Sequence, residues 1–123
     1  MPRQKDHLEK AKHNESFVAS FDLDSTPFLD WAITGMFYSA LHYVEAYFAK
    51  QGYHSALHRT RDSTIQRDGN IRYLFYAYSE LKNFSINARY SLKKFKASDV
   101  RLTLQPHLDS VKKTIIPLLT SLG

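Results

Sequence analysis

The densest mixture of cationic and aromatic side chains lies just after residue 88, where Arg89, Tyr90, Lys93, Lys94 and Phe95 follow one another closely. Arginine and lysine bind phosphates, and aromatic rings stack on unpaired bases, so this combination suits single-stranded nucleic acid. The alternative is a solvated basic loop that keeps one end of the domain soluble. The residues alone are compatible with both interpretations.

A second cluster combines histidine and arginine. His54 and His58 are four positions apart, which is metal-ligand spacing on a helix. No third ligand is placed by the local sequence, so a surface histidine pair is favoured and no metal site is predicted. Arg59 and Arg61 suit phosphate better, because a guanidinium group binds phosphate oxygens in pairs. We expect phosphate contacts from these two arginines, with His58 beside them.

A third cluster lies within the longest apolar segment. Tyr38, His42 and Glu45 are four and three positions apart, so on a helix their side chains can meet. A buried carboxylate needs a partner, and Arg89 is the expected partner of Glu45. The cluster is either a site, with His42 as a candidate catalytic residue, or a satisfied polar core, and the core interpretation is favoured.

Helices would position these clusters. The spacing of apolar residues predicts helices over 5–20, 28–50 and 71–90, a last helix from residue 98, and one or two helical turns within 53–67. No alternating strand pattern occurs. The sequence therefore predicts an all-α fold, an antiparallel up-and-down bundle of four to five helices. It forms a single domain over residues 1–123, with residues 1–14 frayed.

Local signals set the expected helix boundaries. Gly52 falls where a left-handed residue would end the second helix. Asn70, in a turn with Asp68 and Gly69, is expected to cap the third long helix. Pro106 should kink or restart the last helix, because proline lacks a backbone donor and clashes with the preceding turn.

The predicted helix 28–50 is apolar nearly all round, which is typical of a buried or a membrane-spanning helix. Asp30, His42 and Glu45 lie within it, and acids are costly at the centre of a bilayer. We therefore interpret it as the central helix of the bundle and expect no membrane association. A stripe of mostly small residues predicts close approach of a neighbouring helix. Its members are Gly35, Ser39, His42 and Ala46.

Composition narrows the class of protein. The 123 residues suit one domain, and the absence of cysteine excludes disulfides and cysteine-based zinc sites. The charged N-terminus lacks the apolar core of a signal peptide, and a cytoplasmic location is expected. A net charge of +5 favours polyanionic partners such as RNA or nucleotides. No glycine-rich phosphate loop or nucleophile motif occurs, so no cofactor is predicted.

Part of the chain resembles a known family. Residues 37–40 (FYSA) and 44–46 (VEA), followed by Gly52 and His58, are similar to the signature helix of HEPN domains, the "higher eukaryotes and prokaryotes nucleotide-binding" domains. The run 88–90 (ARY) resembles the family's Arg-Tyr pair at the end of the following helix. The resemblance covers about residues 28–90. It implies a four- or five-helix bundle that usually dimerises, and members that bind nucleotides or RNA.

Other HEPN domains are ribonucleases of toxin–antitoxin and antiviral systems, with an Arg followed by His after about four to six residues. The resemblance implies that two such motifs meet at a dimer interface, where Arg holds the scissile phosphate and His moves a proton. Arg101 and His107 have this spacing. Leu102 stands where the family usually has a polar residue, and Pro106 intrudes. The alternative is a solvated Arg101 and a His107 in a first helical turn.

Three hypotheses follow. The first is a HEPN-like homodimer that binds RNA or a nucleotide through Arg59, Arg61, Arg89 and the basic loop, beside a nucleotidyltransferase or antitoxin partner. The second is a metal-independent ribonuclease that uses either Arg101 with His107, or arginines 59 and 61 with histidines 42 and 58. The third is a helical interaction subunit. Binding is preferred, because chance alone would place about one Arg–His pair at the catalytic spacing.

Overall fold

A computed structural model describes residues 3–53 and 58–120, and the side chain of residue 58 lies outside the described part. Within these residues all of the regular secondary structure is helical. The α-helices are α1 (Gln4–Ala19), α2 (Leu29–Lys50), α3 (His58–Arg67), α4 (Phe75–Tyr90) and α5 (Gln105–Thr120). A 3₁₀ turn over Arg72–Leu74 leads into α4, and a π-helical segment over Asp99–Leu104 leads into α5. The predicted all-α architecture is confirmed.

α1 packs against α2 along the predicted stripe of small residues. The Ser39 hydroxyl donates to the Ala11 carbonyl oxygen over 2.9 Å. A Cβ atom placed on Gly35 would lie only 2.9 Å from Cγ2 of Val18. Because later residues of α1 meet earlier residues of α2, the two helices are antiparallel. Close approach at the stripe is confirmed, and α1 is the helix that makes it.

α4 covers another side of α2. Tyr47, near the end of α2, donates to the Asp68 carboxylate over 2.8 Å, a few residues before α4. Arg89, at the end of α4, donates to the Tyr38 hydroxyl, nearer the start of α2, over 2.7 Å. These two contacts make α4 antiparallel to α2.

α5 completes the bundle. Lys50, the last residue of α2, donates to the Leu118 carbonyl oxygen near the end of α5 over 2.6 Å. Lys112 of α5 forms an ion pair with Glu15 of α1 at 2.7 Å, and Glu15 also accepts the Tyr43 hydroxyl of α2. α1, α2, α4 and α5 therefore alternate in direction, and short α3 lies between α2 and α4 in the chain.

The core is formed mainly by α2, whose residues Ile33, Met36, Phe37, Ala40 and Val44 are fully buried. The other helices contribute one apolar face each. Within the described residues, none of the helices combines the length and the apolar character needed to cross a membrane. The nearly uncharged α2 is thus a buried helix, as its polar residues indicated.

The end of α2 confirms the predicted glycine cap. Gly52 has a φ of 79°, and its N–H donates to the Ala49 carbonyl oxygen over 3.0 Å. The Tyr53 N–H donates to the Phe48 carbonyl oxygen over 2.9 Å, and the two rings meet edge-on with centroids 5.2 Å apart. These are the hydrogen bonds and the apolar contact of a Schellman motif.

One boundary prediction differs from the structure. Asn70 does not cap α4; the Asp68 carboxylate instead accepts the Asn70 N–H over 2.8 Å, which closes the turn. Near the end of α4, Ser85 is buried and Ile86 is 41% exposed. At Pro106 the expected restart is confirmed, since α5 begins at Gln105 after the π-helical segment.

Candidate nucleic-acid interface

The start of α2, the end of α4 and the loop that follows α4 meet at one end of the bundle. This surface, called the basic end below, comprises Asp30, Trp31, Tyr38, Arg89, Tyr90, Lys93, Lys94 and Phe95. Trp31 is 53% exposed and Tyr90 is 79% exposed. Both lysines are exposed as well. The helix geometry therefore places open aromatic rings and cations side by side.

Arg89 is the central cation of the basic end. Its Nη1 donates to the Tyr38 hydroxyl over 2.7 Å, and its guanidinium carbon lies 5.3 Å from the centroids of both the Tyr38 and Tyr90 rings. Its Nε is buried and has no hydrogen-bond partner within the described chain. None of the ion pairs among residues 3–53 and 58–120 includes Arg89. The guanidinium charge is therefore not neutralised within the described residues, and the terminal nitrogens remain as donors for an external acceptor.

Lys93 and Lys94 extend the positive charge along the loop. The Lys93 ammonium nitrogen lies 5.3 Å from the centroid of Phe84 and 5.7 Å from that of Phe95. Cation–π contacts of this kind hold a lysine stem against apolar rings while its charge stays in solvent. Lys94 is exposed beside it. Lys93 is thus held against two aromatic rings four residues after Arg89, and Lys94 follows it in the chain.

Two hollows open at the basic end. The smaller one, about 220 Å³, is bounded by Asp30, Trp31, Thr34, Ala88 and Arg89. The larger one, about 380 Å³, is a groove that shares the Asp30 and Ala88 walls and extends along the loop. Its other lining residues are Thr26, Pro27, Leu29, Ser91, Leu92, Lys93, Lys94 and Phe95.

The residues that the basic loop motif singled out lie at this end: Arg89, Tyr90, Lys93, Lys94 and Phe95. Sequence reasoning missed Asp30 and Trp31, which stand in the first turn of α2, and this chain's single tryptophan was an available signal. Arg89 was expected in one group with Tyr38, His42 and Glu45, and within that group it contacts Tyr38.

Arg61 is not the surface phosphate ligand that was predicted. Its side chain is buried, 6% exposed for the residue, and its Nε donates to Oε1 of Glu45 over 2.5 Å. The prediction that Arg89 pairs with Glu45 is therefore wrong, because Arg89 lies nearer the other end of α2, beside Tyr38. Burial raises the pKa of the neighbouring Tyr78 hydroxyl, and the charge of Arg61 opposes that rise.

Arg59, two residues earlier, is exposed, as a surface phosphate ligand must be. The proposed contact between Arg59 and RNA stays a prediction. His54 and the side chain of His58 lie outside the described residues, so the metal-spacing pair and the catalytic role of His58 also stay predictions. Within the described residues, no group of three or more histidine and acidic side chains is arranged to hold a metal ion.

His42 belongs to the contact between α1 and α2. Its Nδ1 lies 3.1 Å from Nδ1 of His7, and the two rings are stacked with centroids 5.4 Å apart. Burial, followed by the charges of His7 and Lys10, lowers the pKa of His42 to about 4. His42 is therefore neutral at pH 7, and one of the two Nδ1 atoms donates to the other.

Arg101 and His107 have separate partners. The exposed Arg101 guanidinium forms an ion pair with Asp24 in the segment before α2, which raises the pKa of Arg101 and lowers the pKa of Asp24. The His107 ring meets the Tyr76 ring of α4 edge-on, with centroids 5.5 Å apart. Both side chains lie in the described part, where neither a hydrogen bond nor a ring contact joins them.

Comparison with known proteins found no relative, since no family model, no curated protein and no solved structure matches the chain. The resemblance to HEPN domains therefore rests on the sequence motifs at residues 37–46 and 88–90. The geometry of the basic end is an independent basis for a functional proposal.

Proposed function

We propose that this chain is a HEPN-like helical domain that binds single-stranded RNA at the basic end. The observation that carries the proposal is Arg89, a cation with no carboxylate partner in the described residues, held between two tyrosine rings. Leaving a half-buried charge without a counter-ion is unfavourable, so this position favours an external hydrogen-bond acceptor.

The distribution of ion pairs supports this assignment. Four cations in other parts of the bundle are paired with carboxylates: Arg61 with Glu45, Lys82 with Asp62, Lys112 with Glu15 and Arg101 with Asp24. Within the described residues, Arg89, Lys93 and Lys94 take part in none of the ion pairs. The basic end therefore presents three cations to a polyanion.

Aromatic exposure favours a single strand over a duplex. Trp31 and Tyr90 are both exposed and lie near Arg89, and stacking on such rings requires bases that are already unpaired. Each stacked base contributes about 1–3 kcal/mol to binding. Lys93 and Lys94 would hold the phosphates between stacked bases.

The proposal is tested by fluorescence anisotropy with a labelled single-stranded RNA of mixed sequence. Arg89→Gln should weaken binding about tenfold, because it removes one charge-assisted hydrogen bond to the strand. Lys12→Gln removes one exposed charge from the middle of α1 and is the matched control. Equal affinities for wild type and Arg89→Gln would rule out binding at the basic end.

Binding is proposed in preference to cleavage. The Arg101 guanidinium is already held by Asp24, and His107 packs on Tyr76, so neither contact favours their joint action on one phosphate. Incubation of RNA with the protein in EDTA should leave the RNA intact. Cleavage that Arg101→Ala or His107→Ala abolishes would replace the binding proposal with the ribonuclease one. The homodimer and the nucleotidyltransferase or antitoxin partner stay predictions of the resemblance.

A further inference from the structure

The smaller hollow of the basic end has walls of three chemical kinds. Arg89 provides the N–H donors of its guanidinium group, of which Nη1 also donates to the Tyr38 hydroxyl. Asp30 provides acceptor oxygens, and within the described residues only its Oδ1 is in use, accepting the Trp31 N–H over 3.0 Å. Trp31 provides an indole ring that is half open to solvent. Donors, acceptors and a flat apolar wall therefore border one space.

The carboxylate of Asp30 decides which ligand suits this space. A phosphate would pair with Arg89 but would be repelled by Asp30, which lines the same hollow. A suitable ligand must accept hydrogen bonds on one edge and donate them on another. The volume of about 220 Å³ is smaller than the roughly 300–1,000 Å³ of sites for drug-sized ligands. It suits one planar ring system rather than a whole nucleotide.

We propose that the hollow between Asp30, Trp31, Thr34 and Arg89 is a pocket for a guanine base, which would be inserted from a bound strand or a free nucleotide. The inference rests on the proposed RNA-binding function and adds a base preference to it. Guanine carries acceptors, O6 and N7, on the edge that arginine contacts in specific complexes. The adjacent Watson–Crick edge carries N–H donors, which a carboxylate can accept.

The other bases match this set of walls less well. Adenine presents an N–H₂ donor beside N7, so its edge offers an arginine only one acceptor. Cytosine and uracil have a single ring and give less stacking area on Trp31. The sugar and phosphate of a guanine nucleotide would continue into the groove, where Lys93 and Lys94 lie. Because the two hollows share the Asp30 and Ala88 walls, base and phosphate sites are contiguous.

Trp31 permits a direct test, since it is the only tryptophan in the chain and lines the hollow. Intrinsic fluorescence is titrated with 5′-GMP, 5′-AMP, 5′-CMP and 5′-UMP separately. Stacking of a base on the indole should quench the emission. We expect 5′-GMP to bind about tenfold more tightly than 5′-AMP, which is the discrimination that one good bidentate contact provides.

Two variants assign the preference to the walls. Asp30→Asn keeps an oxygen that can accept the Trp31 N–H but removes the carboxylate, and it should weaken 5′-GMP about tenfold and leave 5′-AMP unchanged. Arg89→Lys keeps the charge but loses the guanidinium fork, and it should also reduce the preference for 5′-GMP. Glu9→Gln removes an exposed carboxylate from α1 and is the matched control. Circular dichroism and thermal unfolding confirm that each variant is folded.

Anisotropy with labelled oligouridine and with the same strand carrying one central guanosine separates the pocket from the general function. If the guanosine strand binds more tightly than oligouridine, and Asp30→Asn abolishes this difference, the pocket is supported and RNA is identified as the source of the base. Selective quenching by 5′-GMP, without tighter binding of the guanosine strand, supports the pocket and identifies a free nucleotide as the source of the base. RNA binding with equal quenching by all four nucleotides, or with none, overturns the pocket and leaves the proposed function standing. Absence of both RNA binding and quenching overturns both.

Discussion

Arg59 and Arg61 show how strongly the position on a helix decides what a side chain does. The two residues are separated by one threonine on α3, so they point to nearly opposite sides of that helix. Arg59 is exposed, and Arg61 is buried against Glu45. The same residue type thus provides a surface charge at one position and half of an interior ion pair at the other.

We predict that Arg61→Ala lowers the free energy of unfolding by about 3–5 kcal/mol, because it leaves the buried Glu45 carboxylate without its guanidinium. Urea denaturation followed by circular dichroism measures the change. Arg59→Ala is the matched control and should alter stability by less than about 0.5 kcal/mol, as an exposed substitution does. Similar losses for the two variants would show that the Glu45–Arg61 pair is not a structural element of the core.

His42 should make stability depend on pH. Its pKa is lowered from 6.5 to about 4 in the folded protein, chiefly by burial and then by the charges of His7 and Lys10. Between these two values the unfolded chain binds more protons than the folded chain, so stability falls as the pH falls from 6.5 towards 4. The full shift corresponds to about 3 kcal/mol. Because the side chain is partly exposed, solvent screening reduces the loss attributable to His42 to roughly 2 kcal/mol at the acid end of this range.

The measurement compares urea denaturation of wild type and His42→Gln at pH 7 and pH 4.5. Glutamine does not titrate, so the variant should lose less stability on acidification than wild type does. Other groups titrate in both proteins, and the difference between the two proteins isolates His42. His13→Gln, an exposed histidine of α1, should follow wild type. Parallel losses in wild type and His42→Gln would remove His42 as the cause.

At the scale of elements, the sequence predicted helix boundaries well because they depend on neighbouring residues. Gly52 ends α2 as expected, and α5 restarts beside Pro106. Partners between helices were not predictable in the same way. Glu45 was known to need a cation, but only the packing of α3 decides that the cation is Arg61 rather than Arg89. Apolar spacing specifies the face of a helix and leaves its neighbours undetermined.

Gly35 tests the close packing of α1 on α2. Replacement by alanine improves helix propensity by up to about 1 kcal/mol, but the new Cβ would lie 2.9 Å from Val18 Cγ2 and 3.0 Å from Phe17 Cδ2. Val18 is buried and stiff at χ1, so α1 must shift. Overpacking of this kind costs about 1–3 kcal/mol. We predict that Gly35→Ala is destabilising by about 1 kcal/mol in thermal or urea denaturation.

Two further variants isolate the steric cause. Gly69→Ala, where a Cβ would meet no atom within 4 Å, should be neutral or slightly stabilising. In a Val18→Ala background the nearest obstructing methyl group is absent and the partly exposed Phe17 ring can move aside, so Gly35→Ala should become less destabilising or neutral. A loss of stability that persists in that background would place the cause elsewhere than the α1–α2 contact.

At the scale of the whole molecule, some cations of the bundle form ion pairs and others do not. Ion pairs join separate elements: Lys112 of α5 to Glu15 of α1, and Lys82 of α4 to Asp62 of α3. At the basic end Arg89 and Lys93 lie against aromatic rings, Lys94 is exposed, and none of the ion pairs among the described residues includes these three cations. A net charge of +5 on the chain is therefore less informative than the position of the cations that carboxylates do not neutralise.

This arrangement predicts the salt dependence of RNA binding. Each phosphate contact contributes about 0.7 to the slope of log affinity against log salt for a single strand. If Lys93 and Lys94 each contact one phosphate, the double variant Lys93→Gln/Lys94→Gln should reduce the slope by about 1.4, as measured by anisotropy over a salt series. Lys12→Gln/Lys113→Gln removes the same charge from exposed positions on α1 and α5. An equal reduction in both double variants would mean that RNA responds to the net charge of the molecule, whereas a reduction confined to the first locates the phosphates at the basic end.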